Sequence, residues 1–235
     1  HRNPYLYYGT EKEKGKLYVV ATPIGNLGDI TFRAIDVLSG VDMIACEDTR
    51  VTKKLLDYYD IDTKTITYHQ HTKDNKAGNI IDEILAGKSV AVVTDAGTPG
   101  VSDPGNRLVA LAVESNIKTE PIPGASAVSA LVSVAGIDMQ KFTFMAYPPH
   151  KKGRQTFFTK ISESEVPVVY YDSVHRVLKN LNLLEELMPQ AKVILGRELT
   201  KMHEEIIRGK VGKVKEYFEK NKDKVKGEFV IIVHK

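Results

Sequence analysis

Three stretches of glycine, proline and small polar residues follow apolar runs, and they carry the chain's most specific chemical signal. The first is Thr22-Pro23-Ile24-Gly25-Asn26-Leu27-Gly28-Asp29-Ile30-Thr31. The second, Asp95-Ala96-Gly97-Thr98-Pro99-Gly100-Val101-Ser102-Asp103-Pro104-Gly105, holds three glycines, two prolines and two aspartates in eleven residues. The third is Pro121-Ile122-Pro123-Gly124-Ala125-Ser126-Ala127. A plain strand-to-helix connection needs about 2–6 residues, so the second stretch is more than a connection. Glycine lets the backbone approach a ligand closely, and exposed amides and carbonyls then make the contacts. The carboxyl ends of strands are where open α/β sheets bind their ligands. Small side chains opening a helix after the third stretch leave room for a flat or anionic group. Neither G-x-G-x-x-G nor G-x-x-x-x-G-K-[ST] occurs, which excludes the Rossmann fingerprint and the P-loop.

Ionisable residues flank these stretches. Asp29 ends the first one and is a candidate base or a helix cap. Glu47, Asp48 and Arg50 follow a second apolar run, and they read either as site residues or as a salt-bridged helix start. Glu198 and Lys201 follow a later run, where one could act as a base or stabilise an alkoxide, or the two could form a structural ion pair. The choice of base stays open among them. The loop His150-Lys151-Lys152-Gly153-Arg154, with Lys160, His175, Arg176 and Lys179, offers a phosphate-binding surface, and Tyr147, Tyr170 and Tyr171 are possible stacking partners. No metal is expected. His69 and His71 lack partners at metal spacing, and His203-Glu204 lacks the second histidine of a zinc-protease helix. The single cysteine, Cys46, excludes an intrachain disulfide and reads as a small core residue in a reducing compartment.

The elements that must hold these residues alternate. Strands are expected at 17–21, 41–46, 65–68 and 89–94, with helices at 31–39, 52–59, 75–85 and 104–115. Asp103 would cap the last helix and Pro104 would open it. That alternation predicts a parallel α/β sheet. After 118, strands at 118–122, 142–147, 166–171, 192–197, 204–208 and 229–234 mix with helices at 126–134, 154–161, 175–187 and 211–221, which favours a mixed sheet. The expected organisation is an N-terminal extension or tag over 1–16, an α/β domain over 17–120 and a second over 121–235. Of 235 residues, 42% are apolar and 27% charged, a globular composition without a membrane span. The net charge of +3 conceals an asymmetry. Residues 1–149 hold 15 basic and 18 acidic side chains, whereas 150–235 hold 18 and 12, so the second half suits an anionic partner.

The ordered segments 21–31, Glu47-Asp48-Thr49-Arg50, 94–105, 123–127, 171–176, Arg197-Glu198-Leu199-Thr200-Lys201 and Gly227-Glu228-Phe229 resemble one family. The chain looks like the tetrapyrrole-methylase superfamily of S-adenosylmethionine-dependent methyltransferases. Within it, the match is to the ribosomal small-subunit RNA methyltransferase I group, cytidine 2′-O-methyltransferases. The resemblance implies two α/β domains with S-adenosyl-L-methionine in the cleft between them, and a cytoplasmic homodimer acting on 16S rRNA or the 30S subunit. It implies a cofactor pocket at Pro23, Gly25, Asp95, Gly97, Val101, Ser102, Ser126 and Ala127, with Gly227 nearby. Catalytic work would fall to Asp29, Asp48, Arg50, Glu198 and Lys201. RNA contacts would fall to Lys151, Lys152, Arg154, His175 and Arg176. One departure is Tyr147-Pro148-Pro149, where the family tends to have Phe-Leu-Pro. A tetrapyrrole-type small-molecule methylase and a nucleotide-binding module without chemistry are the alternatives.

Overall fold

The computed structural model describes residues 15–68, 75–102 and 106–235. The chain divides into two units, one ending at Ser126 and the other running from Ala127 to Lys235. The expected boundary was 120/121. The later division follows from β5 (Lys118–Ile122), which is a full member of the first sheet beside β1 (Lys16–Val20). Lys16, assigned above to the extension, is the buried first residue of β1 and pairs with Glu120 at 2.7 Å.

The first sheet adds β2 (Met43–Cys46), β3 (Thr65–Thr67) and β4 (Val90–Val92) in the order β3-β2-β4-β1-β5, all parallel. Its inner strands β2 and β4 are apolar on both faces, as a doubly covered parallel sheet requires, whereas the edge strands β3 and β5 carry polar residues. Leu17, Met43, Ala45, Val90 and Val92 pack with α3 (Asn75–Leu85) and α4 (Arg107–Glu114). Val20, Ile44, Cys46, Ala91 and Val93 pack with α1 (Phe32–Gly40) and α2 (Thr49–Tyr58). Cys46 is buried there, as expected, and burial pushes its thiol up.

Helix starts follow their caps. Thr31 caps α1 by accepting from the Ala34 amide at 3.0 Å. Asp29 is therefore not that cap and sits in a 3₁₀ turn, Leu27–Asp29. Asp48 caps α2, which starts at Thr49 rather than at 52. Asn106 caps α4, while the expected cap Asp103 and opening Pro104 lie outside the described residues, as do His69 and His71.

The second unit is mixed, as expected. β6 (Thr143–Phe144), β7 (Val168–Ser173), β8 (Lys192–Arg197), β9 (Glu205–Lys210) and β10 (Glu228–His234) run in the order β6-β7-β10-β8-β9, and only β6–β7 is parallel. β6 is shorter than the expected 142–147, because Ala146 has φ +55° and turns the chain. α6 (Arg154–Glu163), α7 (Val177–Leu187) and α8 (Val211–Lys220) contribute to a core around Phe158, Tyr170, Phe218 and Phe229. α5 (Ala127–Ser133) supplies Leu131, close to Gly196 of β8. No helix among the described residues is long and apolar enough to cross a membrane.

Candidate functional site

In the first unit the strand order assembles what the sequence separates. β4, β1 and β5 are neighbours, so the loops after them emerge side by side at the carboxyl end of the sheet. Backbone bonds then lock them together. Thr22 and Gly97 exchange two hydrogen bonds, each 3.0 Å. The Thr22 hydroxyl, on a buried side chain, donates to the Thr94 carbonyl at 3.3 Å. The Thr98 hydroxyl donates to the Ala125 carbonyl at 3.0 Å. Gly97 has φ +83°, and a Cβ there would sit 3.2 Å from Ile24. A Cβ on Gly124 would come within 3.0 Å of the Ala21 Cβ. Ser102 holds φ +71°, a left-handed conformation that costs a non-glycine residue about 1–3 kcal/mol and clusters at functional sites.

The expected pocket residues Pro23, Gly25, Asp95, Gly97, Val101, Ser102 and Ser126 thus lie on these three loops, Pro23 buried and Gly25 and Asp95 exposed. Asp48 joins them because β2 flanks β4: its amide donates to Asp95 Oδ1 at 3.2 Å. The Asp48 carboxylate also grips Arg50 in a two-point pair, at 3.0 Å to Nε and 2.7 Å to an Nη. Those bonds, with the Arg50 amide, bring its pKa down to about 2. The salt-bridged helix start is therefore what the structure shows for these two residues. Asp29 is exposed, and the Tyr59 hydroxyl, at the other end of α2 from Asp48, ties that helix to the Asp29 turn through the Leu27 carbonyl at 2.6 Å.

In the second unit the antiparallel pairing of β10 with β7 and β8 brings Ser173, Arg197 and Glu228 to one end of the sheet. Glu198 and Thr200 follow β8 with φ +51° and +70°. The Glu198 carboxylate accepts from Lys201 Nζ at 2.8 Å and from the Glu228 amide at 2.9 Å. Lys201 also reaches Glu228 Oε2 at 2.7 Å. Burial works to raise the Glu198 carboxyl, but these donors outweigh it and hold it below the usual range. Burial likewise opposes the charge on Lys201, yet its two carboxylate partners hold its pKa above the ordinary lysine value. Lys201 is thus a fixed cation and not a base. Gly227 is required here: at φ +89°, its Cβ would lie 2.3 Å from Glu198 Cδ. Glu228, whose role the sequence did not signal, is the third member of this cluster. Behind it Arg197, 5% exposed, bonds Glu205 and the His203 carbonyl, while its Nη1 and the buried Thr200 hydroxyl have no partner among the described residues.

The expected RNA residues separate into two sets. Lys151, Lys152 and His175 are exposed. Arg154 and Arg176 are turned to internal duty. Arg154 donates to Asn180 Oδ1 at 3.1 Å, and Asn180 donates to buried Asp172 at 2.9 Å. Arg176 donates to the Pro148 carbonyl at 2.6 Å and bonds the Ser173 hydroxyl at 3.3 Å. Burial pushes the Asp172 carboxyl up to about 6 against the Asn180 and Ser173 donors. Tyr170 is fully buried in the core and is no stacking platform, whereas Tyr147 is exposed and packs on Tyr171 at 5.3 Å. Ala127 opens α5. Among the described residues, no group of three His, Cys, Asp or Glu side chains could hold a metal.

Residues 16–215 match the family profile described as Tetrapyrrole (Corrin/Porphyrin) Methylases. The chain is 43% identical to a protein of Leptospira biflexa named ribosomal RNA small subunit methyltransferase I, over 95% of this chain and 92% of that one. It is 46% identical to one of the same name from Borrelia garinii, over 92% and 97%. Among solved structures, diphthine synthase superposes with a TM-score of 0.73 at 14% identity, covering 92% of this chain and 88% of that chain. Cobalt precorrin-4 methyltransferase superposes at 0.69 and 16% identity, covering 93% and 94%. Those two likenesses show the fold, and the sequence matches show that the chain belongs to the tetrapyrrole methylase family and, within it, to the ribosomal RNA small subunit methyltransferase I family.

Proposed function

We propose that this protein transfers the methyl group of S-adenosylmethionine to the ribose 2′-hydroxyl of a cytidine in the decoding region of 16S rRNA. The 30S subunit as substrate, the cytoplasm as location and a homodimer as assembly belong to the same reading. The observation that carries it is the set of three locked loops, in a chain 38–46% identical to relatives named for small-subunit RNA methylation.

The loops suit this cofactor. No lysine or arginine occurs in residues 17–32, 89–106 or 119–140. Arg33 and Arg50, which lie next to them, are bonded to the Pro121 carbonyl and to Asp48. A phosphate-rich ligand would find no free cation in these loops, whereas a sulfonium that also bears an ammonium meets neutral backbone and the exposed Asp95 carboxylate. The left-handed backbone at Gly97 and Gly100 lets the loop carbonyls and amides face a ligand. Pro23, Gly25, Val101, Ser102 and Ser126 would line it there.

Bound S-adenosylmethionine supplies an electrophilic methyl group. The chain must hold the hydroxyl in line with it, a largely entropic task, and must manage the hydroxyl proton. A carboxylate held below its usual pKa is a weak proton acceptor, so Asp48 and Glu198 serve to orient Arg50 and Lys201. Asp29 is the remaining carboxylate of the set and is assigned the proton. Lys201, fixed by two carboxylates, stabilises the developing alkoxide.

Undermethylated 30S subunits incubated with the protein and methyl-labelled S-adenosylmethionine should yield label in 2′-O-methylcytidine after nuclease digestion. Label confined to a base, or transfer to a tetrapyrrole in place of RNA, would overturn the assignment. Cofactor binding without turnover on any subunit preparation would favour the silent binding module.

A further inference from the structure

The positive charge of the second half is not spread along it. Residues 150–207 hold nine basic and eight acidic side chains, close to balance, whereas 208–235 hold nine and four. The surplus is therefore carried by β9, α8 and the turn that leads into β10, not by the loop around Lys151 and Lys152.

Much of that surplus is already used. Lys215 pairs with Glu185, Lys213 and Lys220 share Glu216, and Lys224 bonds Glu205 at 2.9 Å. Two lysines differ. Lys222 and Lys226 are exposed, and among the described residues no hydrogen bond or ion pair holds either ammonium group. Lys222 opens a 3₁₀ turn, Lys222–Lys224, and Lys226 follows it; the backbone is fixed by the Val225 amide on the Lys222 carbonyl at 3.1 Å and the Lys226 amide on the Lys224 carbonyl at 2.8 Å. Below it, Lys224 is anchored in the Glu205–Arg197 cluster, and the Asn221 side chain bonds the Tyr217 carbonyl at 2.7 Å. The turn is thus a rigid mount for two free cations.

Its position gives it a use. Lys226 directly precedes Gly227, the glycine that lets Glu198 and Lys201 close on Glu228. β9 runs from Glu205, level with Arg197, to Lys210, level with Lys192, and α8 returns from there. Lys222 and Lys226 therefore sit at the Lys201 end of the sheet, and Lys210 and Lys213 at the other.

We infer that the turn carrying Lys222 and Lys226 is a phosphate-contacting surface for the substrate RNA, gripping the phosphodiester backbone beside the nucleotide whose ribose faces Lys201. This rests on the RNA-methylating reading above. Unpaired ammonium groups on a fixed turn bind phosphates without reading bases and release counterions as they do so. The strand would run from the turn across the Gly227 corner to Lys201, with the target ribose held by its neighbouring phosphates.

The test is the paired charge reversal Lys222→Glu/Lys226→Glu, compared with Lys210→Glu/Lys213→Glu at the far end. Binding to 30S subunits is measured from 50 to 200 mM KCl, beside S-adenosylmethionine binding by calorimetry and the melting temperature. The first pair should lower kcat/KM for subunits at least about tenfold and flatten the log–log salt slope by about 1.4, two contacts at about 0.7 each. Cofactor affinity and melting temperature should stay at wild-type values, and the far pair should behave as wild type. Lys222→Arg/Lys226→Arg should retain binding. Wild-type affinity and slope in the first reversal, or equal loss in both reversals, overturns the inference while leaving the methyltransferase reading in place. Absence of any methylation by the wild-type protein would remove both.

Discussion

At the scale of single residues, Gly227 and Asp172 show what the second unit gives up to hold its geometry. Gly227 combines φ +89° with a missing Cβ that Glu198 fills. Gly227→Ala would force the Glu198 carboxylate away from Lys201 and strain the turn. We expect a loss of about 2 kcal/mol in urea unfolding and a fall in kcat on subunits without a matching change in cofactor affinity. Unchanged kcat would show that the Glu198–Lys201 pair is structural only. Asp172 is a buried carboxylate whose ordinary pKa of 3.8 is raised to about 6. Because the folded value lies above the unfolded one, its favourable contribution is fully present below about pH 4 and is lost as pH rises through about 6. Its ionisation should therefore cost about 1.5 kcal/mol between pH 5 and 7.5. In Asp172→Asn that component disappears, so the difference in unfolding free energy between the two pH values should change by this amount relative to wild type. An unchanged difference would mean that Asp172 titrates normally. The charge is retained beside Asn180, Arg154 and Arg176, which together brace the segment from Pro148 to Arg154.

At the scale of elements, the three-loop arrangement depends on β5 staying flat against β1. Gly124 sets that distance, since even one carbon there would touch Ala21. Gly124→Val should push the third loop off the first, break the Thr98–Ala125 bond, and weaken S-adenosylmethionine binding about tenfold or more in calorimetry. Wild-type affinity would place the cofactor elsewhere. The sequence showed each loop and its strand, because apolar β-branched runs ending in Gly-Pro clusters are local signals. It did not show that Thr22 and Gly97 would pair or that Asp48 would bond Asp95, because strand order is a long-range property. Local chemistry also misplaced some edges. The cap at Asp48 starts α2 early, and the positive φ of Ala146 ends β6 early. In the second unit, the adjacency of Glu198 and Glu228 follows from β8 and β10 pairing, which nothing between residues 198 and 228 announces.

At the scale of the molecule, net charge is a poor guide to where RNA binds, and its distribution is a better one. The +3 total and even the basic second half concealed that Arg154 and Arg176 are spent on internal bonds, while the largest local surplus lies after residue 207. Among the exposed lysines of the second unit, which also include Lys160, Lys179, Lys192 and Lys235, the four assigned as phosphate contacts are Lys151 and Lys152 on one loop and Lys222 and Lys226 on the other. Each contact with a single-stranded segment contributes about 0.7 to the salt slope, so four give a log–log slope of about −2.8. Raising KCl from 50 to 200 mM should therefore weaken 30S binding about fifty-fold. S-adenosylmethionine affinity should hardly move over the same range, because no lysine or arginine belongs to its loops. The check is sedimentation binding to subunits beside calorimetry with the cofactor at each salt concentration. A slope near zero would mean that base or shape contacts, and not these lysines, carry the affinity. A slope steeper than about −5 would require cations beyond these four, for which Arg208 and Lys210, exposed and without a carboxylate partner among the described residues, would be the next to substitute.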